Sequence, residues 1–345
     1  GSSHLQEYVL NLNLLAKLTK HLSIVPSLRA GGRNVDADFT GTETLSTNAP
    51  TPFNGNSSRD DVEIRERLDV SYTGVTNWVF NVRGEWLEAQ GDMSENGGLG
   101  PVAGFGVPAI QRQTDDTRFA QKYSANARWY PVRLVTANVG GYYRLSDYDY
   151  DHGLDSTPNN SPNRYPAYLV GQSIETYDGN CGLTLRLLRN LTLLGRYEYQ
   201  SSAIHTQPDP ISGLGDAESA TMTSHIIGAN ISWTPWSRLS LQPGLNYVLS
   251  ETKSPVINDT PAILPSQNDY WIANLFAGLV VDDKTDLNVN LFYYRADDYV
   301  DNSLDGVPYG SGAEEYGITA AIVRRLSNSL RLNLRYGYYH YTDET

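Results

Sequence analysis

The sequence predicts an all-β protein, a transmembrane antiparallel up-and-down β-barrel, from three observations. First, a hairpin pattern recurs about seven times along the 345 residues: an alternating apolar/polar run, a tight polar turn, a second alternating run rich in Tyr, and a long polar segment. Second, the runs have roughly nine to twelve residues, enough for a tilted strand to cross a bilayer, whereas soluble strands average about five or six. Third, the sequence contains no run of about 20 apolar residues, which is the pattern that would predict a membrane helix. We expect about 14 strands (14–16), with short turns on one side and long loops on the other.

The first two hairpins indicate the two faces of the predicted wall. Around a turn near Lys20, one face carries Tyr8, Leu10, Leu12, Leu14, Ala16 and Leu18, then Leu22, Ile24, Pro26 and Leu28. In the second hairpin, Ile64, Leu68, Val70 and Tyr72 alternate with Glu63, Arg65, Arg67, Asp69 and Ser71, and Trp78, Phe80, Val82 and Trp86 alternate with Asn81, Arg83 and Glu85. Charged residues on one face are tolerated only where that face meets water.

The later hairpins repeat the same alternation. Their apolar stripes are Leu183, Leu185 and Leu187; Leu191, Leu193, Tyr197 and Tyr199; Leu239, Leu241, Leu245, Tyr247 and Leu249; and Leu287, Val289, Leu291 and Tyr293. The last strand places Leu330, Leu332, Leu334, Tyr336 and Tyr338 opposite Arg331, Asn333, Arg335, Gly337 and Tyr339. Period two is therefore maintained from the first hairpin to the last.

The turns predict a single domain over residues 1–345. We place them near Lys20, Val75, Pro131, Arg189, Pro235, Lys284 and Asn328. The long segments are predicted to be extracellular and lie near 32–60, 88–116, 147–176, 201–220, 251–268 and 297–313. Both chain ends then fall on the long-loop side. Three interpretations remain open: a hidden strand at each end, a segment of a larger barrel, or long loops that face the periplasm.

Aromatic residues predict two girdles at the membrane boundaries. The 24 Tyr residues cluster near the loop ends of strands, whereas Trp78, Trp129, Trp233 and Trp236 lie near the turns. Ordinary strand propensity of aromatic residues is the alternative explanation. The one cysteine, Cys181, lies on an apolar stripe, so no disulfide forms within the chain, and a lipid-facing or packed thiol is expected.

The strands resemble a known family in their recurring polar turn, alternating Leu, Tyr-rich end and acidic loop start. Examples are Leu326–Leu330 leading to Tyr336–Tyr339, and Tyr142–Arg144 followed by Asp147–Asp149. This pattern resembles the barrel subunit of bacterial porin-cytochrome electron conduits, which sheath a multihaem cytochrome in the outer membrane. The resemblance implies a periplasmic or multihaem cytochrome as partner. The family's N-terminal Cys-x-x-Cys is absent from this sequence.

The predicted function is that of an outer-membrane porin in a Gram-negative bacterium, a channel for passive diffusion of ions or small polar solutes. The alternative is a barrel scaffold around a cytochrome or an export partner. The lipid and lipopolysaccharide of that membrane are the other expected partners. Selectivity would depend on the inward side chains, which are richer in Arg than in acids, so we expect some preference for anions despite the net charge of -13. The alternative is that these Arg residues pair with neighbouring acids and only hold the wall together. The predicted pore-lining residues are Arg29, Glu63, Arg65, Arg67, Asp69, Arg83, Glu85, Arg128, Arg144, Arg186, Arg196, Glu198, Arg331 and Arg335.

Other classes of site have weaker support. Asp147, Asp149 and Asp151 alternate on one side of an extended segment and suggest a loop-bound Ca²⁺, with a solvated acidic loop as the alternative; no other cofactor is expected. His152 and His205 could serve a rim enzyme, but no catalytic motif accompanies them, so we predict no enzyme. The acidic composition and the lack of a phosphate-binding loop disfavour nucleic acid.

Overall fold

In the computed structural model the chain forms one antiparallel sheet. The structure describes residues 1–43, 51–99, 110–155, 169–209, 217–253, 266–298 and 312–343. The strands are β1 (Ser2–Asn13), β2 (Ala16–Lys17), β3 (Leu22–Glu43), β4 (Thr51–Tyr72), β5 (Trp78–Leu99), β6 (Ile110–Val132), β7 (Val135–Asp155), β8 (Leu169–Leu188), β9 (Leu191–Pro208), β10 (Ala217–Trp236), β11 (Leu239–Lys253), β12 (Ser266–Gln267), β13 (Tyr270–Asp282), β14 (Thr285–Asp297), β15 (Gly312–Arg325) and β16 (Arg331–Asp343). Within these ranges no helix is long and apolar enough to span a membrane.

The strand order follows the chain order, as expected for an up-and-down architecture. Fourteen long strands pair antiparallel in the order β1, β3 to β11, β13 to β16, and the two-residue strands β2 and β12 pair with β3 and β11. Within the described residues, β1 pairs with β3 and with no other strand, and β16 pairs with β15 and with no other strand. The predicted fold class, all-β with about 14 antiparallel strands, is confirmed.

The strands are longer than the sequence predicted. We expected roughly nine to twelve residues, but β3, β4 and β5 have 22 residues each and β6 has 23. Much of the predicted loops 32–60 and 88–116 is therefore strand. Backbone pairing depends little on whether a side chain is polar, so segments rich in Asp, Asn and Gly continue the ladder once their neighbours extend beside them. Since about ten residues cross a bilayer, these strands project well beyond it. The tips of the predicted long loops lie outside the described residues.

The short turns lie close to their predicted places. Two of them fall two to three residues later than predicted, at 133–134 instead of Pro131 and at 237–238 instead of Pro235. Both prolines belong to strand ends where the pairing register shifts, between Trp129 and Val132 and between Trp233 and Trp236. A proline cannot donate to the ladder and is tolerated at such irregularities.

The register divides the sheet into two faces. Residues directly opposite each other on paired strands share a face, so the pairs Arg29–Arg65, Arg65–Leu87, Leu87–Ala120 and Ala120–Ser146 extend one face across the five strands β3 to β7. We call this the polar face. Its buried side chains include Leu87, Ala120, Ser146, Thr176, Asp178, Val248 and Ala296. Because side chains crowd together on the concave side of a barrel wall, we take the polar face as the inner one.

The opposite side, the apolar face, exposes large hydrophobic side chains throughout. Leu10, Leu28, Leu68, Val82, Val139, Leu183, Ile227, Leu245, Leu291 and Leu334 are among them. In water such a continuous apolar surface would drive association, but in a bilayer it is the surface that lipid covers. The exposed Cys181 lies on this face, opposite Val139 and Tyr197, as predicted for a lipid-facing thiol.

Two aromatic belts border the apolar face. On the turn side, Trp78 stacks on Phe80 and on Trp129. On the other side, ring contacts join Trp86 to Tyr123, Tyr143 to Tyr177, Tyr199 to His225, Trp271 to Tyr293, and Tyr316 to Tyr338. From Trp78 to Trp86 the strand rises about 26 Å, or about 20 Å along the normal at a tilt of about 40°, close to the apolar band of outer-membrane barrels. We take the segments between the belts as membrane-spanning.

Candidate transport surface

The polar face collects all fourteen residues predicted to line a pore. Their register positions place each of them on the same side of the sheet as Arg29, from Glu63 on β4 to Arg335 on β16. The side chains belong to eight different strands, so they form a wide surface and no compact site. Their role as pore lining remains a prediction.

The densest charge network on this face lies beyond the outer aromatic belt, on β3, β4 and β6. Arg33 donates from Nη2 and Nε to Asp61 Oδ2 at 2.6 and 3.1 Å. Arg59 donates from Nε to Asp61 Oδ1 at 2.8 Å, and its Nη2 lies 2.9 Å from Asp116 Oδ1. The two arginines and two carboxylates thus form one chain of ion pairs across three strands. They border a cavity of about 420 Å³ that Tyr148 also lines.

Gly91 on β5 provides the space for this network. A Cβ atom at position 91 would lie 2.6 Å from Asp116 Oδ1, 2.7 Å from Arg59 Nη2 and 2.8 Å from Asp61 Oδ1. These distances are far below a normal van der Waals contact, so the charged groups can meet above β5 only because the residue beneath them has no side chain.

The network shifts the pKa of its own members. Burial by itself would raise the pKa of the Asp61 carboxyl, but hydrogen bonds and positive charge from Arg59 and Arg33 outweigh it and lower the pKa. Burial likewise opposes the charged Arg59, yet Asp61 and Asp116 raise its pKa. On the opposite face of β5 and β6 the reverse shift occurs, because the protonated Asp115 carboxyl can donate a hydrogen bond to the neighbouring Asp92 carboxylate, which raises the pKa of Asp115.

Sequence reasoning missed the residues of this network. Arg33 and Arg59 fall within the segment 32–60 that we predicted to be a loop, and Asp61 adjoins it. The available signal was the alternation itself: Arg59 and Asp61 continue the odd-numbered stripe of Glu63 and Arg65 without a break. The polar composition of the segment concealed that stripe.

Nearer the membrane, β4 and β5 carry mostly compensated charges. Asp69 forms ion pairs with two arginines: its Oδ2 lies 2.8 Å from Arg67 Nε, and its Oδ1 lies 2.5 Å from Arg83 Nε. Arg65 lies 3.2 Å from Glu63, and Arg83 lies 3.7 Å from Glu85. On these strands the prediction that arginines pair with neighbouring acids and strengthen the wall has clear geometric support.

The charges on β6 and β7 are different. Arg118, Lys122 and Arg144 make no ion pair with any described residue. Arg118 lies over the ring of Tyr148 at 5.1 Å, and Lys122 Nζ lies over Tyr142 at 3.9 Å. Their positive charge on the polar face is therefore not neutralised by an ion pair within the described residues, although Lys122 lies directly opposite Glu85 in the register.

The predicted Ca²⁺ residues do not form a compact site. Asp147, Asp149 and Asp151 pair with Phe119, Thr117 and Asp115, on the side of the sheet opposite the polar face and beyond the outer belt. In the described ranges no group of three or more His, Cys, Asp or Glu side chains is placed to hold a metal ion. The Ca²⁺ site stays a prediction without geometric support.

The candidate rim histidines have structural contacts. The His152 ring nitrogens lie 3.0 Å from Thr114 Oγ1 and 3.0 Å from the carbonyl oxygen of Leu169. Both contacts tie strands together across β6, β7 and β8. His205 lies on β9, where it pairs with Ser173 and Glu218, without an arrangement that indicates catalysis.

Known structures of outer-membrane receptors share this fold. No protein-family model matches the chain, and no curated protein is recognisably related to it in sequence. The ferric-catecholate import receptor Fiu from E. coli matches 99% of this chain over 64% of its own length, with 9% identity and a TM-score of 0.55. The siderophore receptor PiuA from Acinetobacter baumannii matches 98% over 63%, with 11% identity and a TM-score of 0.52. The ferric citrate transporter FecA matches 100% over 58%, with 10% identity and a TM-score of 0.54.

These identities show the fold alone. The chain spans about three fifths of the length of the structures it matches. All three are transport receptors of the outer membrane and none is an enzyme by its description. The resemblance to porin-cytochrome conduits finds no specific support among them. The chain thus shares the antiparallel strand architecture of these outer-membrane barrels.

Proposed function

We propose that the chain forms a wall of an outer-membrane transport barrel in a Gram-negative bacterium and that small polar or ionic solutes pass along its polar face. One observation carries this proposal: a single sheet with a lipid-compatible apolar face and, on its inner side, a continuous charged face. Charged side chains in such numbers between the aromatic belts require water on that side. The fold neighbours, which are transport receptors, support the same class.

Passive diffusion is the simplest mechanism for this surface. It needs a water-filled lumen lined by fixed charges and no moving part. The uncompensated cations on β6 and β7 favour anions, because they raise the local concentration of anions near the wall.

The test is single-channel conductance of the purified protein in a planar bilayer, with the reversal potential measured under a salt gradient. We expect stable unitary steps and a reversal potential that indicates anion preference. Lys122→Glu together with Arg144→Glu should move that potential toward cation preference, whereas Arg189→Glu at a turn should not. Folded, inserted protein without unitary steps would refute an open pore.

A second candidate is a scaffold or receptor that encloses another component. Two observations favour it: β3 to β7 have 20 residues or more and project beyond the bilayer, and neighbours of this fold are named as receptors for iron chelates. A periplasmic or multihaem cytochrome is one possible occupant. Haem absorbance that co-purifies with the protein in fixed proportion would identify a cytochrome scaffold, and silent membranes together with tight binding of a ferric chelate would identify a receptor.

A further inference from the structure

We propose that the polar face carries a binding site for a small solute with two or more carboxylate or phosphate groups, formed by Arg65, Arg118, Lys122 and Arg144. The site rests on the proposed function only in so far as the polar face must meet water. These four side chains surround a depression of about 240 Å³ on β4 to β7. It lies level with the outer aromatic belt, since Leu87 adjoins Trp86 in sequence and Lys122 adjoins Tyr123. A solute that enters from the outer side therefore meets it before the membrane-spanning part of the wall.

The register explains how the four cations come together. Lys122 and Arg144 are direct cross-strand partners, and Arg118 lies four residues along β6 on the same face, about 13 Å away along the strand. Arg65 lies in the row of Leu87 and Ala120, two strands from Ala120 and about 10 Å across the sheet. Long side chains from these four positions can converge on the space above that row.

The floor of the depression is apolar and closed. Leu87 is 6% exposed and Ala120 is 8% exposed, and both line the depression. The next residue in the row, Ser146, is 1% exposed. A ligand that covers this floor would bury apolar surface while its acidic groups reach the rim, which favours a compact organic body over a bare inorganic ion.

The charge balance gives the sign of the ligand. The only acid among the lining residues is Glu85, which lies 3.7 Å from Arg83. Arg65 has Glu63 at 3.2 Å. Lys122 lies directly opposite Glu85 in the register, but neither it nor Arg118 or Arg144 forms an ion pair within 4.0 Å in the described ranges. The Nε atom of Arg118 is buried without a hydrogen-bond partner. Three cations without an ion pair, one of which carries a buried unsatisfied donor, are the arrangement that a multivalent oxyanion completes.

Other charged regions do not have this character. The cavity beside Arg33 and Arg59 is lined by Asp61 and Asp116 as well, so these two arginines already have partners. The outward row Asp60, Asp92, Asp115 and Asp151 is only an acidic cluster. The depression on β4 to β7 is where positive charge, open volume and an unused donor coincide.

The experiment is isothermal titration calorimetry of the full chain, folded in detergent, with benzene-1,3,5-tricarboxylate, benzoate and inorganic pyrophosphate. We expect saturable binding of the tricarboxylate that weakens as NaCl increases, because the ion pairs are partly exposed and screened. Benzoate, with one carboxylate, should bind at least about tenfold more weakly. Pyrophosphate should fall between the two if the apolar floor contributes, and should equal or exceed the tricarboxylate if phosphate is the recognised group.

Variants locate the site. Lys122→Gln and Arg144→Gln should each weaken tricarboxylate binding about tenfold, the effect of one charge-assisted hydrogen bond. Arg189→Gln removes the same charge at a turn and should leave affinity unchanged. Should either site variant fail to fold by circular dichroism, the ratio of tricarboxylate to benzoate affinity in the unaltered protein still decides.

The proposal is overturned if the unaltered protein shows no saturable tricarboxylate binding, or if Lys122→Gln and Arg144→Gln bind as tightly as Arg189→Gln. Binding without conductance would keep this site and refute the open pore. Conductance without binding would keep the pore and refute this site, so the two failures are distinguishable.

Discussion

Asp61→Asn should destabilise the folded protein by about 1–2 kcal/mol, because it removes the carboxylate that links two arginines. Asp61 receives three hydrogen bonds, two from Arg33 and one from Arg59. The asparagine has nearly the same shape and keeps one acceptor oxygen. It loses the charge and the second acceptor, so neither arginine keeps an ion pair at position 61, and Arg59 keeps its ion pair with Asp116.

The magnitude follows from how far these side chains are exposed. A unit charge pair at 4 Å is worth about 4 kcal/mol at an effective dielectric constant of about 20, before desolvation and side-chain entropy are subtracted. Asp61 is 20% exposed, but Arg59 is 35% and Arg33 is 51% exposed, so solvent screening removes much of the gain. An exposed ion pair stabilises a protein by about 0.2–1 kcal/mol. Because Asp61 forms two ion pairs, with Arg33 and with Arg59, we expect its loss to cost more than that.

The measurement is denaturant unfolding in detergent micelles, followed by tryptophan fluorescence. The matched control is Asp36→Asn, because Asp36 accepts one hydrogen bond, from Ser58 Oγ at 2.7 Å, and has no ion pair. Asp36→Asn should lower the free energy of unfolding by less than about 0.5 kcal/mol. A double-mutant cycle of Asp61→Asn with Arg33→Gln should give a coupling energy of about 1 kcal/mol. A coupling near zero, or equal losses for Asp61 and Asp36, would refute the reasoning.

The same network can be perturbed by adding a side chain at Gly91, the residue on β5 that lies beneath it. Gly91→Ala introduces a Cβ atom within 2.8 Å of the charged groups of Asp61, Arg59 and Asp116 and should cost about 1–3 kcal/mol. Gly153→Ala on β7, where a Cβ atom meets nothing within 4 Å, is the control and should be nearly neutral. Equal effects of the two alanines would mean that the network does not occupy the space above Gly91.

Two further predictions concern the outer side of the sheet. Because a hydrogen bond donated by protonated Asp115 to Asp92 raises the folded pKa of Asp115, ionised Asp115 destabilises the fold at neutral pH, and this cost disappears as pH falls through the raised pKa. Asp115→Asn should therefore raise the unfolding midpoint at pH 7 but not in acid; an equal rise at both would contradict the assignment. In bilayers, Cys181 should react with a lipid-soluble maleimide and not with a membrane-impermeant charged one, whereas Cys181→Ser with Thr184→Cys, on the polar face, should show the reverse preference for the charged reagent. Labelling of Cys181 by the charged reagent would place it in water.

The sequence predicts the fold well because one periodic signal determines it. In a two-sided wall each strand must alternate, and a shift of one residue would expose every charge to lipid, so the register is strongly constrained. The stripes of Leu10, Leu68, Leu183 and Leu334 all lie on the apolar face as predicted. Strand length was not predictable in the same way. Above the membrane both faces meet water, the alternation weakens, and a polar strand resembles a polar loop in composition.

The charged surface was predicted only in part. The face of each arginine follows from parity, so the predicted lining residues share one side. The ion-pair partner of each arginine depends on the register between strands and on side-chain length, and neither can be read from whether a residue is odd or even along its strand. Nothing in the sequence shows that Asp69 lies between Arg67 and Arg83, or that the missing side chain of Gly91 opens space for Arg59.

The two interpretations of the inward arginines apply to different parts of the wall. On β3 to β5 the acids lie between the arginines, and Asp61 and Asp69 each contact two of them, so these charges stabilise pairing between strands. On β6 the cations Arg118 and Lys122 lie above tyrosine rings of β7, which support them without neutralising them. A ring offers a cation some stabilisation but leaves its charge available to a passing anion. A selective field therefore arises from only part of the polar face, and the overall count of arginines and acids does not determine the selectivity of the barrel.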